Sequence, residues 1–172
     1  MMKLTTAFAA AVMSAAAFLP GSAHAQSIVD VAKDAGSFET LLAAATAAGF
    51  ADELDEVNKL TVFAPTDEAF AALPPGTVED LLKPKNRDTL RAIIAYHILP
   101  MRIKSDKVPR KPILAETLNG CERVRVERKV TTMGLTKKVL VDGVKVQAAD
   151  IKASNGIIHV IDEVLLPDRP CP

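Results

Sequence analysis

Few side chains in this 172-residue sequence could do chemistry. Only His97 and His159 follow the first 25 residues, and the carboxylates are scattered without the spacing of metal ligands. The sequence contains no Gly-x-Ser-x-Gly elbow, no His-Glu-x-x-His motif, no Cys-x-x-Cys pair and no glycine-rich phosphate loop. These observations favour a binding or structural protein over an enzyme, and no cofactor or metal site is expected.

Cys121 and Cys171 are the two cysteines of the sequence. Outside the cytoplasm such a pair is most simply a disulfide, which would join the C-terminal tail to a strand near the middle of the chain. The alternative is a pair of reactive thiols, although the Cys-x-x-Cys spacing that often accompanies this chemistry is absent. A structural role is therefore expected for both cysteines.

Positive charge is concentrated in residues 101–138, which hold 11 basic and 4 acidic side chains in a chain of zero net charge. Across Arg123–Val126, arginines and valines alternate, so the arginines share one strand face. Arg123, Arg125 and Arg128 are candidates for a docking surface that binds an anionic glycan, a lipid headgroup or an acidic protein. The alternative is a solvated sheet face. No aromatic residues interleave these charges, which argues against nucleic acid.

Residues 1–25 have the three parts of a cleavable export signal. Lys3 is followed by the uncharged segment Leu4–Leu19, and Ala23–Ala25 forms an A-x-A cleavage site. The apolar run is shorter than the roughly 20 residues of a membrane span, and an uncleaved N-terminal anchor is the alternative. A mature chain starting near Gln26 would form one periplasmic or secreted domain without a transmembrane segment.

The N-terminal half of the mature chain is predicted to be mainly helical. Ser37 is expected to cap a helix that Gly49 ends, because these residue types favour the two helix termini. Thr61–Ala64 has the pattern of a short buried strand, and Thr66 is expected to cap the helical turn that follows it. Thr77–Asp80 resembles a capping box before another helix.

The strongest helix is predicted over Asn86–Leu99, where apolar residues recur along one face and Pro100 ends the pattern. After this helix the apolar period changes to two. Asn119-Gly120, Asp142-Gly143 and Asn155-Gly156 separate the alternating segments and predict tight hairpin turns. Helices followed by an antiparallel meander predict a single α+β domain.

Two segments resemble the signatures of the fasciclin (FAS1) domain family. Thr61–Phe70 is similar to the first and Asn155–Pro167 to the second, and Tyr96-His97 matches the Tyr-His element between them. The resemblance implies that residues 26–172 form one fasciclin-like domain, a wedge of two β-sheets with helices packed on one side. Family members are typically extracellular or periplasmic modules for adhesion or interaction.

The Tyr-His element has two interpretations. His97 lies on the apolar face of its predicted helix, which favours a buried histidine hydrogen-bonded to a carboxylate or carbonyl. Asp67 is the expected partner, because the resemblance brings the first signature near this element. The functional alternative places Tyr96 and His97 in a partner-recognition patch, as proposed for the family. His159 lies within a predicted strand and is expected to be structural.

The leading hypothesis is an exported, non-enzymatic adhesion or interaction module of the cell envelope or extracellular space. Its expected partner is a cell-surface protein, an envelope protein or an anionic glycan. The alternative is a periplasmic carrier that holds a small hydrophobic ligand, a lipid or a pigment, in a groove of the fold. An envelope hydrolase is disfavoured because the sequence lacks a catalytic set.

Overall fold

The structure is a computed structural model that describes residues 26–50, 54, 57–130 and 137–167. The predicted export signal at 1–25 and Cys171 of the predicted disulfide lie outside these ranges. Within the described ranges, helices dominate the first half and strands the second, as the change of apolar period predicts.

The described residues form five α-helices. They are α1 (Ile28–Ala35), α2 (Glu39–Ala48), α3 (Asp67–Ala71), α4 (Thr77–Leu81) and α5 (Arg87–Tyr96), with a 3₁₀ turn at Pro84–Asn86. Apolar residues of α1, α2 and α5 pack with β-strand residues in one large buried cluster. α1 lies outside the predicted helices, although Ser27 and Asp30 form a capping box at its start.

Seven strands form the β part of the described chain. They are β1 (Leu60–Pro65), β2 (Ile98–Leu99), β3 (Ile113–Glu116), β4 (Arg123–Val130), β5 (Lys137–Val141), β6 (Val144–Lys152) and β7 (Gly156–Ile161). Their order is β2-β1-β7-β6-β5-β4-β3. β6 pairs first with β5 and then with β7, and two register shifts lie along the second pairing. The chain is therefore an α+β single domain whose two sheets are joined through β6.

β3 to β7 form the predicted antiparallel meander, whereas β1 pairs with β7 in parallel. Both strands are buried at every position, and their register runs from Leu60 opposite Gly156 to Pro65 opposite Ile161. A Cβ on Gly156 would lie 2.5 Å from the Leu60 carbonyl oxygen and 2.6 Å from Ile28 Cδ1. Glycine is needed there because the two strands and α1 approach so closely.

The N-terminus of α2 is capped from outside the helix. The prediction that Ser37 caps it is wrong, because the Ser37 hydroxyl donates to the Ala35 carbonyl. The Asp67 carboxylate instead accepts hydrogen bonds from the backbone N–H groups of Glu39 at 3.2 Å and Thr40 at 2.8 Å. Burial raises the pKa of Asp67, but the hydrogen bonds from Thr40 and Glu39 outweigh it and lower that pKa.

Two other predicted helix limits are wrong. Thr77 is the first residue of α4, and the cap is Gly76 with a φ of 84°. α5 ends before His97, because Ile98 and Leu99 leave the helix to pair with β1 as the short strand β2. Pro100 therefore follows a strand rather than a helix.

One predicted turn is confirmed and another acts differently. Asp142-Gly143 joins β5 to β6 with positive φ angles of 49° and 87° at its two residues. Asn155-Gly156 joins β6 to β7 without positive φ angles. The buried Asn155 side chain instead accepts from Ile28 N at 2.9 Å and donates to the Leu54 carbonyl at 2.6 Å. Asn155 is needed for its side-chain hydrogen bonds rather than for its backbone conformation.

Replacing Asp67 with alanine should lower the free energy of unfolding by about 1 kcal/mol, the usual cost of losing a helix cap. Glu68→Ala is the matched control, because Glu68 is exposed on the same helical turn, whereas the hydrogen bonds to the start of α2 are accepted by Asp67. Urea unfolding at pH 7, followed by circular dichroism, measures both variants. Equal stability of the two variants would show that Asp67 does not hold α2.

Candidate functional site

A polar groove with a volume of about 870 Å³ lies between β4 and the segment after β7. Its walls come from β3, β4, the β5–β6 turn and the C-terminal segment. Residues from these four parts include Leu114, Arg123, Arg125, Glu127, Lys129, Asp142, Val164 and Leu166. Tyr96, the last residue of α5, also lines the groove, so the tyrosine of the Tyr-His element and two of the predicted arginines meet here.

Tyr96 is fixed between a helix and a hairpin turn. Its side chain is buried, and its hydroxyl donates to Asp142 Oδ2 at 2.7 Å. Asp142 Oδ1 accepts from Arg125 N at 2.7 Å, and Asp142 N donates to the Arg125 carbonyl at 2.8 Å. One aspartate therefore joins the end of α5 to β4 and sets the position of the groove wall.

His97 connects three parts of the fold and is 1% exposed. Its Nδ1–H donates to the Ile93 carbonyl at 2.8 Å, and Nε2 accepts from Leu165 N at 3.0 Å. Its own carbonyl accepts from Phe63 N at 2.9 Å. The predicted hydrogen bond to Asp67 is wrong, because both ring nitrogens have these other partners. His97 thereby ties α5, β1 and the C-terminal segment together.

Burial lowers the pKa of His97 to about 4, although the hydrogen bond to the Ile93 carbonyl favours the protonated ring. The ring is therefore neutral at pH 7. Protonation would place a proton on Nε2, directly opposite the Leu165 N–H that it now accepts from. Acid should consequently weaken the attachment of the C-terminal wall of the groove.

The three arginines predicted to dock a partner lie on two faces of β4. Arg123 and Arg125 are exposed and line the groove. Arg128 alternates with them and lies on the same side as the buried Val126, where its Nη1 donates to the Asp106 carbonyl at 3.2 Å. The grouping of Arg128 with the other two in one docking surface is therefore wrong.

Acidic side chains accompany the cations in and beside the groove. Glu127 lies 3.5 Å from Arg125 and 3.3 Å from Lys129, and Glu116 lies 3.6 Å from Arg123. The Glu127 side chain is 15% exposed, whereas those of Arg125 and Lys129 are 56% and 69% exposed. Exposed ion pairs of this kind are weak, so the cationic head groups remain accessible to a partner.

Two apolar side chains extend into solvent at this groove. Leu114 of β3 is 64% exposed, and Leu166 of the C-terminal segment is 53% exposed. The groove therefore offers apolar as well as charged groups at its surface. Sequence reasoning missed Leu114, Leu166 and Asp142 as groove residues. The alternation within β3 was the only local signal, and it indicated that Leu114 is exposed. The Tyr96–Asp142 contact joins segments that are distant in sequence, so no local pattern indicated that Asp142 lies at the groove.

His159 lies away from the groove and is buried in β7. Its Nε2–H donates to the Ile103 carbonyl at 2.8 Å, Nδ1 accepts from Asp150 N at 3.2 Å, and the ring stacks on Phe63. Burial lowers the pKa of His159, outweighing the Ile103 hydrogen bond and the Asp150 charge. These contacts hold the loop after β2 against β7.

Cys121 is exposed in the turn between β3 and β4, next to the groove residue Glu122. Cys171 lies outside the described residues. The disulfide between them stays a prediction.

An apolar cavity of about 100 Å³ lies inside the large core cluster. Its walls come from α1, α2, α5, β1 and β7, with Leu41, Val62, Ile94 and Ile158 among them. Sites for small organic ligands usually measure about 300–1,000 Å³. A lipid or pigment could therefore enter only if the helices moved apart from the strands.

Two negative findings concern the described residues. None of their helices is long and apolar enough to cross a membrane. None of their His, Cys, Asp and Glu side chains form a group of three or more that could hold a metal ion.

Residues 36–167 match the family described as fasciclin domain. The chain belongs to this family. It is 41% identical over 167 residues to Protein sll1483 of Synechocystis sp., which covers 97% of this chain and 86% of that protein. It is 33% identical to human periostin, over 83% of this chain and 16% of that protein.

The fasciclin domain assignment also agrees with a solved structure. The FAS1 domain pair of the insect cell adhesion molecule fasciclin I superposes with a TM-score of 0.64 at 23% identity, over 77% of this chain and 46% of that chain. At this identity the likeness supports the fold alone. The fasciclin domain is a family of non-enzymatic adhesion modules, and its members are mostly secreted or extracellular.

Stability of this fasciclin domain should fall in acid partly through His97. Its pKa is about 4 in the folded chain against an ordinary 6.5, so the unfolded chain binds the proton first as pH falls. The contribution is complete above pH 6.5 and is lost between that pH and pH 4, by about 3 kcal/mol. His97→Gln should reduce this pH dependence, because glutamine offers the same donor and acceptor without titrating.

Urea unfolding of the wild type and His97→Gln at pH 7, 5.5 and 4 measures the effect. The carboxylates and His159 are present in both proteins, so the difference between the two pH profiles reports on His97. Parallel profiles would contradict the assignment of a buried neutral His97.

Proposed function

We propose that this fasciclin domain is an exported, non-enzymatic interaction module that binds an acidic partner in the groove beside β4. The partner would be a cell-surface or envelope protein or an anionic glycan, in the periplasm or outside the cell. The main support for this proposal is that three cationic side chains of the groove are exposed together, those of Arg123, Arg125 and Lys129. Two exposed leucines, Leu114 and Leu166, lie beside them. Cations would recognise acidic groups, and the leucines would contribute apolar contact.

In this proposal, Tyr96 and His97 hold the walls of the groove in place and do not contact the partner directly. Both are buried, and their hydrogen bonds reach the two segments that form opposite walls. The family resemblance offered these residues as a recognition patch. Their burial supports an indirect role in which they fix the shape that a partner meets.

The proposed disulfide and export signal are linked. Cleavage near Ala25 would deliver Cys121 and Cys171 to an oxidising compartment, where a bridge is stable. The loop model of disulfides gives about 4 kcal/mol at most for a bridge of this span. Intact mass before and after alkylation tests the bridge, because only free thiols gain mass.

Loss of Arg123 and Arg125 together should weaken partner binding at least about tenfold, equivalent to about 1.4 kcal/mol. Mature protein (residues 26–172) is immobilised and exposed to solubilised envelope from the native host at low and high salt. Retention by the wild type should fall at high salt, because salt screens charges at the protein surface. The variant Arg123→Gln/Arg125→Gln should show the same low retention at both salt concentrations.

The matched control is Arg110→Gln/Lys111→Gln, which removes the same charge from exposed residues outside the groove. It should retain partners as the wild type does. Equal loss of retention in the two double variants would indicate general charge attraction. No loss in either variant would indicate that Arg123 and Arg125 lie on a solvated sheet face that binds no partner. Absence of any retained partner at low salt would contradict the proposed function itself.

The carrier alternative has a candidate place in the apolar cavity of about 100 Å³. Lipid and pigment extraction of protein purified gently from the native host tests it. A stoichiometric hydrophobic ligand would require opening of the core and would favour the carrier. An empty protein would favour the interaction module.

A further inference from the structure

Three lysines form a cluster on the outward face of β4, β5 and β6. Lys129 of β4 lies directly opposite Lys138 of β5. Lys145 of β6 lies opposite Leu140, which is on the same face of β5 as Lys138. All three lysines are exposed, whereas Val139, between Lys138 and Leu140, is buried on the other face. The lysine cluster therefore presents three ammonium groups to solvent on neighbouring strands.

The lysine cluster lacks the counter-charges that a structural role would require. Like charges directly opposite each other on neighbouring strands destabilise a sheet, and Lys129 and Lys138 form such a pair. Lys129 has an ion pair with Glu127, whereas none of the described acidic side chains forms an ion pair with Lys138 or Lys145. An anion lying over the cluster would offset this repulsion, so the arrangement favours an external anionic ligand.

The cations of this face cover an area rather than a line. From Arg123 to Lys129, the cations of β4 span about 20 Å of strand. Lys138 and Lys145 extend the positive charge across two further strands, about 10 Å to the side. Among the cross-strand pairs of this face, from β3 to Lys145 of β6, five cations outnumber two acids. The acids are Glu116 and Glu127. An array of this shape fits a surface of anionic headgroups better than it fits a single polymer chain.

An exposed apolar side chain accompanies the cations. Leu114 of the edge strand β3 lies directly opposite Arg125 and is 64% exposed. Cations attract the anionic headgroups of a membrane, and an apolar side chain beside them can enter the boundary between headgroups and acyl chains.

We propose that this face docks the domain on a membrane surface rich in anionic phospholipids. The lysine cluster, Arg123 and Arg125 contact the headgroups, and Leu114 enters the interface at the margin. This contact goes beyond the proposed function, because its ligand is a lipid surface and because Lys138 and Lys145 do not line the partner groove.

The test is sedimentation of the mature protein with vesicles of equal parts phosphatidylglycerol and phosphatidylcholine, and with vesicles of phosphatidylcholine alone. The wild type should bind the anionic vesicles only, and less at high salt, because salt screens exposed charges. Lys138→Gln/Lys145→Gln should bind about thirtyfold more weakly, from the usual contribution of two cations at an anionic surface. The matched control, Lys33→Gln/Lys85→Gln, removes the same charge from exposed residues of the helical part and should bind as the wild type does.

Leu114→Ser separates a membrane from a soluble polyanion. It should weaken binding to the anionic vesicles severalfold and leave retention on immobilised polyglutamate unchanged, because polyglutamate offers charge without an apolar interior. Circular dichroism checks that each variant is folded.

Absence of wild-type binding to anionic vesicles at low salt would overturn the proposal, and this comparison needs no variant. So would unchanged binding by Lys138→Gln/Lys145→Gln, or an equal loss in its control. Binding to polyglutamate as tight as to the vesicles would assign the face to an acidic protein instead. The vesicles contain no protein or glycan, so their failure to bind leaves the proposed function to its own test with solubilised envelope.

Discussion

The parallel pairing of β1 with β7 is the constraint on which the rest of this fasciclin domain depends. Both strands are buried at every position, and the whole chain between them, three helices and five strands in the described residues, forms the connection that parallel pairing requires. Gly156 permits the close approach at one end of the pair. The two segments that resemble the family signatures are therefore one structural unit.

The groove follows from this central pair through His97. Its carbonyl holds Phe63 of β1, its ring holds Ile93 of α5, and Leu165 of the C-terminal wall binds its other nitrogen. The neighbouring Tyr96 reaches Asp142 and so fixes the opposite wall. The buried Tyr96-His97 dipeptide thus connects the core to the walls of an exposed groove.

Local sequence signals predicted the meander, because alternating residues and the Asp142-Gly143 turn act over short distances. They could not predict the β1–β7 pairing, since a continuous apolar run such as Thr61–Ala64 does not indicate which strand it will pair with. Helix periodicity also concealed β2, whose two apolar residues continue the pattern of α5. The Asp67 cap of α2 depends on tertiary contact and leaves no trace near Ser37.

The site was predicted only in part for the same reason. Strand alternation correctly placed Arg123 and Arg125 on one exposed face, and counting the same period onward separates Arg128 from them. The groove itself required the C-terminal segment to fold back beside β4. Its recessed Glu127 shows why a run of positive charge in sequence becomes a mixed surface in the folded chain.

Native-state hydrogen exchange tests the dependence of the fold on its central pair most directly. Amides of Val62, Ile158 and Val160 should exchange only through global unfolding, with a free energy equal to that from urea denaturation. Amides of the β3–β4 hairpin should exchange faster through local opening. Exchange at β1 and β7 as fast as in that hairpin would contradict the central role of the pair.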